Sequence, residues 1–136
     1  MGESVSRWMG RGKMGYQSFR ELRVWQEAKD LAVKIYKLTG KGMLSKDYGL
    51  KDQMQRAAVS ISCNIAEGYE RYSHKDFLRF LMIAKGSLSE LRTLIEIAYE
   101  IGYLNESEIE KLNEQSNKLG AMITKLIQTR RAQLPD

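Results

Sequence analysis

From Val24 onward the apolar residues recur at intervals of four and three. Val24, Ala28, Leu31, Ile35 and Leu38 form a first run; Leu50, Met54, Ala57, Ile61 and Ile65 a second; Leu112, Leu119, Ile123 and Leu126 a fourth. Between them, Phe77, Leu81, Ala84, Leu88, Leu91, Ile95 and Ala98 hold the alternation without a break. Such spacing lines up side chains on one stripe of an α-helix, whereas a half-buried strand would alternate every second residue. The pattern predicts four amphipathic helices.

Their ends carry local chemistry. Ser18 with Glu21, Ser73 with Asp76 and Asn105 with Glu108 have the capping-box spacing, in which a short polar side chain and a carboxylate satisfy the free amides of a first turn. Tyr72 with Phe77, and Leu104 with Ile109, stand where a hydrophobic staple would close over two of these caps. The first helix is expected to run from Ser18 to about Leu38 and to stop at Gly40 and Gly42, since glycine tolerates the left-handed conformation past a helix end. The second starts between Ser45 and Leu50 and reaches about Tyr69, the third closes at Gly102, and the fourth ends near Arg130. Short connections make sequence neighbours antiparallel, so the expected fold is all-α, an up-down-up-down four-helix bundle over residues 18–131. Residues 1–17 are read as a flexible tail, including the basic Gly10-Arg11-Gly12-Lys13, and residues 132–136 as a short C-terminal tail. Gly86 and Gly120 fall inside helices, where each costs about 1 kcal/mol relative to alanine, so close helix approach is expected at both. Trp25, Tyr36, Phe80, Tyr99 and Tyr103 lie outside the stripes and are candidates for an oligomer interface, where aromatics are enriched.

Composition narrows the function. The chain has 136 residues, one proline (Pro135), one cysteine and a net charge of +5. That length holds one domain, and no segment has the run of about 18 apolar residues that a membrane span needs. With Cys63 alone, no intramolecular disulfide can form, which fits a reducing, cytoplasmic setting. Residues 1–42 hold nine Lys and Arg against four Asp and Glu, while the rest is balanced. The excess makes Arg20, Arg23, Lys29, Lys34 and Lys37 candidates for contacting the phosphates of RNA or DNA, because phosphate neutralisation dominates sequence-independent binding. The alternative is a solvated face of a structural or protein-interaction oligomer with no nucleic-acid affinity.

Catalytic chemistry finds little support. Bundles of the ferritin type hold two irons with inward glutamates and paired Glu-x-x-His motifs, but His74 is the only histidine and Arg71 stands where the motif needs a glutamate. Cys63 has no evident imidazole partner and reads as a small buried apolar residue. No metal or other cofactor is expected. Asn64 falls on the second stripe, and a buried amide needs partners. Ser60, Asn64 and Glu67 on the second helix, with Ser87 and Glu90 on the third, are therefore expected to form a polar cluster that sets helix register. A polar ligand pocket built from Asn64, Glu67 and Glu90 is the competing, enzyme-like reading.

Several of these segments together resemble a known family. Phe19-Arg20-Glu21-Leu22-Arg23-Val24-Trp25-Gln26, Tyr48-Gly49-Leu50 leading to Gln53, Arg56-Ala57-Ala58-Val59-Ser60-Ile61, Asn64-Ile65-Ala66-Glu67-Gly68, Ala84-Lys85-Gly86-Ser87 and Gly102-Tyr103-Leu104 are similar to the four-helix bundle proteins encoded in intervening sequences of bacterial 23S ribosomal RNA genes. The family is in turn similar to the accessory variability protein of diversity-generating retroelements. The resemblance implies a homopentamer without enzymatic activity that binds nucleic acid or acts as a scaffold, with a protein partner such as a reverse transcriptase. Many relatives carry Phe-Pro in the first interhelical loop; this chain has Met43-Leu44, so a different loop conformation is expected.

Overall fold

In the computed structural model, which describes residues 18–135, four helices follow one another: α1 (Arg23–Thr39), α2 (Tyr48–Tyr69), α3 (His74–Glu100) and α4 (Glu106–Ala132). No strand occurs among the described residues. The segments read as the N-terminal tail and its Gly10-Arg11-Gly12-Lys13 run lie outside them.

The caps of α3 and α4 form from the residues that the spacing marks. Ser73 Oγ accepts from the Asp76 amide at 3.1 Å. Asn105 and Glu108 make both halves of a capping box, at 2.8 and 2.9 Å. Gly102 takes φ +90, with its amide bonded to Tyr99 O and the Tyr103 amide to Ala98 O, the paired 5→2 and 6→1 bonds of a Schellman ending. The staple over Ser73 differs from expectation. Tyr72 sits at φ 62 and is half exposed, while buried Phe77 meets the edge of Tyr69 at 5.7 Å.

The start of α1 needs a larger correction. Ser18 Oγ accepts from the Arg20 amide at 3.2 Å and caps a separate 3-10 turn, Phe19–Glu21, and α1 begins at Arg23 with no side-chain cap. A tertiary contact supplies the reason: the Phe19 ring lies edge-on to Trp25 at 5.1 Å, folding the turn back on the helix. At the other end Gly40 has φ −86 and needs no special freedom, whereas Gly42 has φ +63. A second 3-10 turn, Gly42–Lys46, buries Leu44, and Asp47 caps α2 by accepting from the Leu50 amide at 3.1 Å.

Every apolar residue named in the third stripe is buried, and so are those of the other three apart from Leu38, Leu50 and Leu126, which are half-buried at the margin of the core. Neighbouring helices meet in antiparallel register. Along α2 and α3, Gly68 lies against Phe80 and Ser60 Oγ bonds Ser87 Oγ at 2.9 Å. Along α3 and α4, Arg92 bonds Asn117 and Arg131 reaches Met82. The Tyr103 hydroxyl donates to Asp47 at 3.1 Å, joining the first and third loops, and Arg130 meets His74 at 3.0 Å at the opposite end. These contacts make α2–α3 and α3–α4 antiparallel pairs within an all-α four-helix bundle.

Of the described glycines, Gly68 marks the tightest approach. A Cβ there would stand 2.6 Å from Phe80 Cβ and 3.1 Å from Phe77 Cδ1. Phe80 Cβ is anchored to the backbone, so only a shift of a whole helix would relieve the overlap. The two glycines expected to mark close approach do not: nothing lies within 4 Å of a Cβ on Gly86, and one on Gly120 meets only ordinary contacts at 3.5 and 3.7 Å.

Opposite outcomes follow for two alanine substitutions. Gly68→Ala overpacks the α2–α3 contact and should destabilise by about 1 to 3 kcal/mol, whereas Gly86→Ala should stabilise by up to about 1 kcal/mol through helix propensity. Thermal unfolding of each variant beside the parent checks both signs; equal melting temperatures would contradict the packing described. A double-mutant cycle with Ser60→Ala and Ser87→Ala should return a coupling of about 0.5 to 1.5 kcal/mol. Additive losses would mean that the hydroxyls do not act on each other.

Candidate nucleic-acid interface

A helix turns about 100° per residue, and this phase separates the cations of the first helix. Arg23, Lys34 and Lys37 fall within a sector of roughly 60° on α1, while Lys29 lies roughly 120° round from Arg23. Lys29 is also neutralised locally, its ammonium 2.8 Å from Asp30. Arg20 is on the preceding turn, over the Phe19 ring at 4.8 Å. The structure therefore brings three of the five candidates onto one side of α1 and leaves two elsewhere. Of those three, Arg23 and Lys37 are exposed and Lys34 is half-buried, and none makes an ion pair among the described residues.

The polar cluster is smaller than expected. Ser60 crosses to Ser87, and Asn64 Nδ2 donates back along its own helix to Ser60 O at 2.8 Å and Ser60 Oγ at 3.0 Å. Glu67 and Glu90 are exposed, and Glu67 pairs with Arg71 at 2.9 Å. They belong neither to a buried network nor to a pocket around Asn64, because their phase turns both carboxylates to solvent. Cys63 is exposed as well, on the face of α2 turned away from Ile61 and Ile65. Among the described residues no group of three His, Cys, Asp or Glu side chains is placed to hold a metal ion, and no helix is long and apolar enough to cross a membrane.

The proposed aromatic surface breaks up too. Phe80 is buried, and Trp25, Tyr99 and Tyr103 pack against the core, which leaves Tyr36 half exposed. Tyr99 and Tyr103 are instead hydrogen-bond donors to Glu106 at 2.7 Å and to Asp47. The accepting carboxylate raises each phenol's pKa above its ordinary value.

A second set of cations, missed in the sequence, lines a groove of about 510 Å³ between α3 and α4. Lys85 and Arg92 rise from α3 and Lys125 from α4, over Leu88, Gly120 and Ala121, with Ser89, Asn117, Thr124 and Gln128 as neutral polar neighbours. Lys125 also lines a shallower apolar depression shared with Arg23 of α1. No carboxylate lines either surface. Only the seven-residue interval from Lys85 to Arg92, two turns of one helix face, could have signalled this in the sequence.

The fold and its surfaces can be set beside known proteins. A search of curated proteins returned no match. Among solved structures, the chain is similar to a Bacteroides thetaiotaomicron protein of unknown function from the S23 ribosomal protein family, at 25% identity and a TM-score of 0.70, over 76% of this chain and 97% of that one. The family model described as 23S rRNA-intervening sequence protein matches residues 20–125, from the 3-10 turn before α1 to the last third of α4. The chain belongs to the 23S rRNA-intervening sequence protein family.

Proposed function

We propose that this protein is a non-enzymatic, cytoplasmic homo-oligomer, a pentamer, that binds RNA through contacts to phosphate. The observation that carries the RNA reading is the set of cations Arg23, Lys34 and Lys37 on one side of α1, none of them in an ion pair among the described residues. A guanidinium or ammonium without an acidic neighbour keeps its charge available to a polyanion. RNA is chosen over DNA on the family's link to ribosomal RNA genes. Self-association is supported by the outer side of α3, where Ile83, Ile97 and Ile101 are exposed at 44, 45 and 52%. Ile83 and Ile97 on α3 and Ile101 at its C-cap fall at similar phase, with exposed Glu90 between the first two, so this face offers apolar contacts at both ends and a carboxylate between them. A scaffold that engages a protein such as a reverse transcriptase would use the same oligomer.

Light-scattering mass with and without structured RNA tests both parts. A particle of five times the chain mass should gain mass with RNA at 50 mM salt, and its affinity should fall at least about tenfold by 200 mM as counterion release loses its advantage. A pentamer indifferent to RNA at both salts would return the charged surface to a solubility role. A monomer would remove the oligomer.

A further inference from the structure

The geometry points to the groove between α3 and α4 as the seat of a single RNA strand, with Lys85, Arg92 and Lys125 as its phosphate contacts. This rests on the reading of the protein as an RNA binder and adds a place for the strand, between α3 and α4.

Charge supplies the first argument. Lys29, Arg56, Arg71, Arg79 and Lys118 each stand within 4 Å of a carboxylate, and none of them lines the groove. Lys85, Arg92 and Lys125 make no ion pair among the described residues. Arg92 is instead held by the side-chain oxygen of Asn117. A neutral amide orients the guanidinium without cancelling its charge and leaves the other N–H groups of its fork for an anion. The acids of this same α3–α4 surface collect at its far end, where Glu106, Glu96 and Glu110 surround the Tyr99 hydroxyl. The surface is thus basic along the groove and acidic beside the third loop.

Shape supplies the second. Packed helices lie side by side about 8 to 10 Å from axis to axis, so the trough between them runs along both and can follow the backbone of one strand. Two helical turns separate Lys85 from Arg92, about 10 Å of axis, and Lys125 stands across the groove from them, so cations flank the path of a strand on both sides. Gly120 keeps the trough open beside Arg92, since a side chain there would begin 3.5 Å from Leu88 Cδ2 and 3.7 Å from Arg92 Nη1.

The test is fluorescence anisotropy of a labelled twelve-nucleotide polyuridylate with the full chain, over a salt series. The groove variant Lys85→Gln/Arg92→Gln/Lys125→Gln is compared with Lys46→Gln/Lys75→Gln/Lys111→Gln, which removes the same charge at exposed positions outside the groove. The groove variant should bind at least about tenfold more weakly at 100 mM salt, with the slope of log affinity against log salt shallower by about 2. The control should stay within about threefold, with its slope unchanged. Gly120→Leu, which retains every charge and favours helix, should weaken binding by obstructing the trough. If wild type binds and the groove and control variants weaken equally, or Gly120→Leu binds as wild type does, the groove is overturned and RNA binding stands. If wild type itself fails to bind at 50 mM salt, the RNA reading falls and the groove with it.

Discussion

The close approach of α2 and α3 at Gly68 sets the terms for the rest of the molecule. With no side chain at Gly68, the helix end can press on Phe77 and Phe80, the first turns of α3. Two turns along, the Ser60–Ser87 bond meets the same pair of helices at half-buried positions. A small-residue contact and a hydroxyl pair at separate heights fix both the separation and the rotation of α3 relative to α2. Once that rotation is fixed, the long apolar stripe from Phe77 to Ala98 faces the core. Lys85 and Arg92 then turn toward α4, and Ile83, Ile97 and Ile101 turn outward. The polar surfaces of the bundle are consequences of this packing.

How far the sequence discloses such a structure depends on whether a feature is local. The caps of α3 and α4 are legible because Ser73 and Asn105 satisfy amides only three residues away. The core is legible because burial follows a period that the chain repeats. The start of α1 is not, since the 3-10 turn at Phe19–Glu21 is held by a ring contact with Trp25 that spacing does not encode. Gly68 reads as one more glycine near a helix end, and nothing beside it distinguishes the close approach from the open space at Gly86. Glu67 and Glu90 show the converse error: heptad-like spacing put them near the polar seam, but their actual phase points them to water.

Charge is the least legible property. A cation count along the chain singles out the first helix because cations are dense there, yet density along a helix is divided among its faces, and Lys29 goes to a different face from Arg23. Lys85, Arg92 and Lys125 are sparse in the sequence and are assembled only when α3 and α4 pack side by side. What a polyanion meets is the assembled surface. A helical bundle can therefore gather cations that form no motif in the sequence, and a count along the chain does not find them.

The most direct measurement is lysine footprinting: brief acylation with an amine-reactive reagent, with and without bound RNA, read residue by residue by mass spectrometry. The account predicts that RNA protects Lys85 and Lys125 strongly and leaves Lys46, Lys75 and Lys111 reacting as before. Bound RNA that leaves Lys85 and Lys125 fully reactive, or that protects all five alike, would contradict it.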